Sequence, residues 1–144
     1  MEERGTIRRD KGREFRSVGE TQVARLLDRV GVAYLYEHPL AVVDDGKVRI
    51  WYPDFQLPGY GILIEYFGMR DRPDYEAGIR KKQAVYERNG LKAVVLRPEG
   101  LSGNWPERVL SEIEGILAER VRDFQEKRDM MQARGRLPQS KARR

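Results

Sequence analysis

The 144-residue chain has no cysteine, which excludes disulfides and any cysteine-ligated zinc. Histidine is almost absent. The single His38 argues against enzymes whose sites are assembled from several histidines. No apolar run approaches the roughly 18 residues needed to span a bilayer, and the N-terminus lacks the apolar core of a signal peptide. The expected location is therefore the cytoplasm, the host's if the chain is phage-encoded, with no membrane partner. Lysine is scarce, 7 residues against 21 arginines. The guanidinium fork suits phosphate, although a GC-rich or thermophilic source gives the same ratio. There is no internal repeat.

The length fits one domain able to bury a core. A net charge of +5 and a pI near 9.6 suit a polyanionic partner. The most informative stretch is Tyr52-Pro53-Asp54-Phe55, followed by Leu57-Pro58-Gly59-Tyr60-Gly61 and then Ile62-Leu63-Ile64-Glu65-Tyr66-Phe67-Gly68. Glu65 interrupts an apolar run of the kind found in strands covered on both faces, where a charge is costly unless paired or metal-bound. The intervening Pro and Gly predict a hairpin, which would set Asp54 beside Glu65. Two such carboxylates repel unless a proton or cation lies between them. A cap or loop role for Asp54 and a salt-bridged core role for Glu65 would also satisfy the pattern.

Residues 1–16 form a basic arm carrying Arg8, Arg9, Lys11, Arg13 and Arg16, either able to order on DNA or simply a solvated tail. Val23, Leu26, Leu27 and Val30 predict a first helix over Val18–Val30, ended by Gly31. Ser17-x-x-Glu20 reads as a capping box, which by itself would account for Glu20. Three strands are expected: Ala33–Val43, with His38 near a sheet edge; a second through Val48, Ile50 and Tyr52 that delivers Asp54; and Gly61–Phe67. Asp44-Asp45-Gly46-Lys47 is the turn between the first two. A second helix over about Asp74–Asn89 carries Tyr75, Ile79, Lys82 and Tyr86 on one stripe, with Lys81 turned about 100° away. A lysine on such a stripe either snorkels to the edge or serves a site. Lys92–Leu96 is a further strand. Asn104 caps a last helix whose stripe runs through Leu110, Ile113, Leu117, Val121 and Phe124. Domain organisation is expected as the arm 1–16, a core 17–130 including that helix, and a basic, disordered tail 131–144.

The order helix, three strands, helix, strand, with Gly19-Glu20, Pro53-Asp54-Phe55, Ile64-Glu65-Tyr66-Phe67-Gly68 and Tyr75-x6-Lys82-x3-Tyr86, resembles the PD-(D/E)XK nuclease superfamily over roughly residues 17–97. The resemblance implies an α/β, restriction-endonuclease-like core: a central mixed sheet of four to five strands flanked by helices, in the order α-β-β-β-α-β-α. The family usually places a lysine two residues after the second carboxylate, where this chain has Phe67. Some branches supply it from the following helix, and Lys82 matches that arrangement. The resemblance then implies Glu20, Asp54, Glu65 and Lys82 as catalytic residues. Mg²⁺ or Mn²⁺ would be held by Asp54, Glu65, the Tyr66 carbonyl and Glu20, directly or through water. Tyr66, Tyr75 and Tyr86 would pack or hydrogen-bond rather than catalyse. DNA contacts would fall to Arg8, Arg9, Lys11, Arg13, Arg16 and Lys81.

The implied activity is metal-dependent hydrolysis of DNA phosphodiesters. A free-standing nuclease core with basic ends is similar to small dimeric archaeal and phage Holliday junction resolvases, so a homodimer on four-way junctions is expected. Restriction-type, mismatch-nicking and non-specific endonucleases share the same core. A DNA-binding module that has lost activity is the reading from another class, supported by Phe67 and opposed by the intact carboxylates. A basic α/β domain binding RNA or protein would leave Glu65 unexplained.

Overall fold

A computed structural model of the chain describes residues 7–8, 15–68 and 73–135. The chain divides into two compact units, Met1–Val109 and Leu110–Arg144. The first contains β1 (Ile7–Arg8), α1 (Val18–Val30), β2 (Tyr34–Tyr36), β3 (Leu40–Asp44), β4 (Lys47–Trp51), β5 (Phe55–Leu57), β6 (Ile62–Tyr66), α2 (Pro73–Arg88) and β7 (Lys92–Leu96). After a single 3-10 turn at Pro98–Gly100, α3 (Trp105–Ala133) begins in the first unit and continues through the second.

Helix α1 starts where Ser17 Oγ accepts the Glu20 amide at 3.1 Å and ends at Gly31, whose φ of 77° a side-chain-bearing residue rarely adopts. Its buried face is Glu20, Val23, Ala24, Leu26 and Leu27. Five strands form one mixed sheet in the order β1-β2-β5-β6-β7, antiparallel except for the β6–β7 pair. A parallel neighbour needs a crossover, which α2 provides. On one face of the sheet, Tyr34, Tyr36 and Phe55 form an aromatic layer with ring centroids 5.4 Å apart. On the other, Leu63 packs with Val42, Val85 and Tyr86, flanked by Leu40, Trp51, Leu91 and Ala93.

The five-stranded sheet matches the expected four to five strands, but the described chain is cut into more and shorter strands than the sequence pattern suggests. In place of one strand over Ala33–Val43, the chain breaks at Glu37–Pro39. The Glu37 amide makes one last bond to the neighbouring strand, to the Asp54 carbonyl at 3.1 Å, and its φ of 52° then turns the chain out of β2. Pro39 has no N–H to offer a ladder. The chain therefore leaves the main sheet, and β3 and β4 pair as a separate two-stranded ribbon. His38 lies in the connection rather than in a strand. The ribbon turns at Asp45 (φ 56°) and Gly46 (φ 75°), two left-handed residues as a type I′ hairpin requires. The strand through Val48 and Ile50 does not deliver Asp54. β4 ends at Trp51, and Asp54 stands immediately before β5, a three-residue strand too short to show a period.

The N-terminal segment joins the fold earlier than position 17. Ile7–Arg8 pairs with β2, and the Phe15 ring meets Tyr36 edge-on at 4.8 Å. Arg9, Lys11, Arg13 and the Arg8 side chain lie outside the described residues, as do residues 136–144 of the expected tail. In the second unit, Val121, Phe124, Met130 and Met131 are exposed along α3. Among the described residues no helix is long and apolar enough to cross a membrane.

Beside the Trp51–Tyr86 ring contact and the Arg88–Asp44 ion pair, the ribbon is fastened to the end of α2 by Asn89, the residue that follows it. Asn89 Oδ1 accepts the Val43 amide at 2.9 Å, and Asn89 Nδ2 donates to the Val43 carbonyl at 3.0 Å and the Val85 carbonyl at 2.7 Å. Asn89→Ala should therefore cost about 1–3 kcal/mol, two to three hydrogen bonds at the usual net value each. The check is a lowered midpoint in urea at unchanged slope. An unchanged midpoint would mean that apolar packing and the Arg88–Asp44 ion pair hold the ribbon without Asn89.

Candidate functional site

The β5–β6 register fixes the site. Phe55 pairs with Ile64, Gln56 with Leu63 and Leu57 with Ile62. One step further in the same register, Asp54 stands opposite Glu65, on the sheet face that carries Leu63. Opposed residues on antiparallel strands share a face. Both carboxylates are buried, at 8% and 3% exposure. The Asp54 amide donates to Glu65 Oε1 at 3.4 Å, and the Tyr66 amide donates to Asp54 Oδ2 at 2.7 Å. Opposite Tyr66 lies Pro53, so the aspartate side chain takes up an amide near the point where strand pairing stops.

Helix α2 supplies the remaining partners of Glu65. Tyr86 donates its hydroxyl to Glu65 Oε2 at 2.5 Å, and Lys82 Nζ lies 3.5 Å from the same oxygen. Burial, then the charge of Glu65, pushes the Tyr86 phenol far above its ordinary range, so it stays a donor. Lys82 also rests over the Phe67 ring, 5.6 Å from its centroid. It borders a cleft of about 310 Å³ lined by Phe67, Asp74, Tyr75, Gly78, Ile79 and Lys82. Lys81 is exposed on another side of the helix, beside Asp44, Asp45, Arg49 and Arg88. The structure thus brings Asp54, Glu65 and Lys82 together and leaves Lys81 away from them.

Glu20 is both a cap residue and a neighbour of the site. Its amide is capped by Ser17, while its Oε1 accepts the Tyr36 hydroxyl and, at 3.2 Å, the Arg16 amide. One residue earlier on the same helix, Gly19 leaves room for the Tyr66 ring. A Cβ at position 19 would stand 2.3 Å from Tyr66 Cζ. Sequence reasoning missed Glu37, which is 7% exposed with Oε2 2.7 Å from Arg16 Nε. Its only sequence signal is a charge between Tyr36 and His38 in an otherwise strand-like run.

Asp54 is pushed up to about 7, first by burial and then by the charge of Glu65, with the Tyr66 amide and Lys82 pulling the other way and Glu20 adding to the rise. The pair is thus short of positive charge, and its donors are hard oxygens of the kind divalent cations take. Among the described residues no three His, Asp or Glu side chains form a group that could hold a metal ion. A cation here would rest on Asp54, Glu65 and a backbone carbonyl such as that of Tyr66, with water completing the shell. That donor set fits Mg²⁺, which keeps several waters and binds through one or two carboxylates.

No family model matches the chain, and no curated protein does. Among solved structures, the catalytic domain of the homing endonuclease I-Bth0305I superposes with a TM-score of 0.51 at 19% identity, covering 72% of this chain and 96% of that one. The likeness establishes that this chain shares the fold of that domain.

The Asp54 environment generates a pH prediction. The folded carboxyl holds its proton up to about pH 7, whereas the unfolded one releases it near 3.8. Across that interval the folded state binds more protons, so stability falls as pH rises. Without divalent metal, the melting temperature of the wild type should drop between pH 5 and 8 more than that of Asp54→Asn, which keeps an acceptor for the Tyr66 amide. Mg²⁺ at pH 8 should raise the wild type and leave Asp54→Asn unmoved. Parallel curves, insensitive to metal, would show that the carboxylates are neither strained nor a cation site.

Proposed function

We propose that this chain is a metal-dependent endodeoxyribonuclease, a hydrolase of DNA phosphodiester bonds. The observation that carries the reading is the convergence of Asp54, Glu65 and Lys82 at the end of β6, in a fold shared with an endonuclease catalytic domain. Asp54, Glu65 and the Tyr66 carbonyl would hold Mg²⁺ or Mn²⁺, with Glu20 reaching it through water. When bound, such an ion acts as a Lewis acid on the phosphate and lowers the pKa of water.

The chain's own residues do the rest. Tyr86 and Lys82 fix the orientation of Glu65 from α2, and the Tyr66 amide fixes Asp54 from β6. Lys82 puts a positive charge beside the cleft, where it can offset negative charge developing on the phosphate oxygens as water adds to phosphorus and the ester oxygen leaves. Lys81 and the basic N-terminal residues Arg8, Arg9, Lys11 and Arg13 would contribute phosphate contacts away from the reacting bond.

Within this class we favour a homodimeric resolvase of four-way junctions. Symmetric cutting of a junction suits a two-fold assembly, and the exposed Val121 and Phe124 on α3 offer an apolar stripe for it. The alternatives are a restriction-type, mismatch-nicking or non-specific DNA endonuclease, or a DNA-binding module of the same fold without activity.

Asp54→Ala and Glu65→Ala should each abolish cleavage while retaining most DNA affinity, since phosphate contacts lie elsewhere. Lys82→Ala should slow cleavage about a hundredfold, and Lys81→Ala should mainly weaken binding. Gel assays on labelled duplex, single-stranded, nicked, flap and four-way DNA, with Mg²⁺ or EDTA, check all of this. Near-normal turnover of either carboxylate variant would refute the site. Light scattering should report a dimer, and an immobile junction should receive paired symmetric nicks. A monomer that cuts linear duplex equally well would remove the resolvase reading and leave the nuclease.

A further inference from the structure

We infer that Arg16, held in place by the buried Glu37, is a second cation of this site and contacts the DNA phosphate beside the scissile bond. The inference rests on the nuclease reading above. Its ground is the unusual fixation of an exposed arginine at a site of buried carboxylates.

Three anchors immobilise the backbone at position 16. The Phe15 ring packs on Tyr36 at 4.8 Å and lies 6.2 Å from Phe55. The Ser17 side chain caps α1. Between them, the Arg16 amide donates to Glu20 Oε1 at 3.2 Å and to the Tyr36 hydroxyl oxygen at 3.1 Å. The side chain is nevertheless 66% exposed. An arginine meant only as surface charge needs none of this ordering, which costs side-chain entropy.

Glu37 has no other evident task. It is buried in a left-handed backbone conformation, φ 52°, a strain that non-glycine residues keep where the surroundings demand it. Its amide bonds the Asp54 carbonyl at 3.1 Å, the rung that follows Tyr36–Phe55 in the β2–β5 register, so the residue that holds Arg16 is the strand neighbour of the one at the centre of the site. The Arg16 Nε to Glu37 Oε2 contact is close, 2.7 Å, but Oε2 accepts no aligned hydrogen bond. Charge proximity orients the guanidinium without using up its donors. Among the described residues neither terminal NH₂ group of Arg16 has an acceptor. A planar fork with free donors, fixed at its Nε end, is suited to a phosphate. The neighbouring charges agree. Burial lowers the Arg16 pKa, but Glu37, Tyr36, Glu20 and Asp54 together outweigh it and favour the charged form. Lys82 approaches the carboxylate pair through Glu65 from α2. The Arg16 guanidinium is held by Glu37, whose amide bonds the Asp54 carbonyl, so the two cations reach the site from different elements.

The test compares wild type, Arg16→Ala, Arg16→Lys and Glu37→Gln in three measurements. These are steady-state cleavage of labelled duplex with Mg²⁺ or Mn²⁺, fluorescence anisotropy of the same duplex in EDTA over a salt series, and thermal melting. Arg16→Ala should lose about a hundredfold in kcat, the scale of one electrostatic donor. Its logarithmic salt slope should fall by about one, the share of a single phosphate contact. Arg16→Lys should recover part of kcat, because charge is kept and the fork is lost. Glu37→Gln should fall between them, since the cation remains but is no longer held.

Wild-type kcat and salt slope in both Arg16 variants, or a loss seen only in melting temperature, would overturn the inference and leave the nuclease reading intact. A wild type that cuts no DNA with either metal fails the nuclease reading itself. Anisotropy then still decides: an unchanged salt slope in Arg16→Ala overturns the phosphate contact, and a reduced one upholds it in a DNA-binding module.

Discussion

Two carboxyl groups side by side, out of water and unable both to ionise without a cost, are the constraint on which the rest of this molecule depends. A pair of unit charges about 4 Å apart repels by about 4 kcal/mol at an effective dielectric of about 20, a large part of the 5–15 kcal/mol that keeps a typical domain folded. Nothing in the packing of the sheet calls for Asp54 and Glu65 to face one another. Leucine at either position would suit the apolar layer around Leu63, Val42 and Val85. The arrangement makes sense as a place kept for positive charge, and the surrounding structure works to hold it: the β5–β6 register, the Tyr66 amide, the Tyr86 hydroxyl and the Lys82 ammonium.

The two faces of the sheet serve this place differently. The α2 face is apolar up to Tyr86 and then presents a hydroxyl and an ammonium to Glu65. The α1 face is aromatic, and its polar atoms, the Tyr36 hydroxyl and the Glu20 carboxylate, bond to each other and to the Arg16 backbone. Both networks flank the short β5–β6 end where Asp54 and Glu65 stand.

Much of this was legible in the sequence because the relevant signals are local. The bounds of α1, its serine cap and glycine stop, the Asp-Gly turn of the ribbon and the extent of β7 follow from capping, left-handed turns and short apolar runs. The phase of α2 separated Lys82 from Lys81 correctly, as burial shows, because a 3.6-residue period is readable over sixteen residues. What escaped is non-local. Pro39 signals an edge or bulge, but nothing near Glu37 says that the backbone will turn left-handed there and carry β3 and β4 out of the main sheet as a two-stranded ribbon. Strand β5 has three residues and exists because β2 and β6 flank it. Arg16 reads as one of several arginines in a basic segment. Only the tertiary partner Glu37 sets it apart.

The contact between Gly19 and the Tyr66 ring ties two distant positions into one inherited unit. Tyr66 gives its amide to Asp54 while its ring occupies the space a Cβ at position 19 would need. A lineage that enlarged residue 19 would have to shrink or swing residue 66, and the disturbance would arrive one bond away from the aspartate. Substitutions at the two positions are therefore expected to travel together among descendants of this chain, with glycine tolerated alone and an aromatic at 66 never met beside a bulky residue at 19.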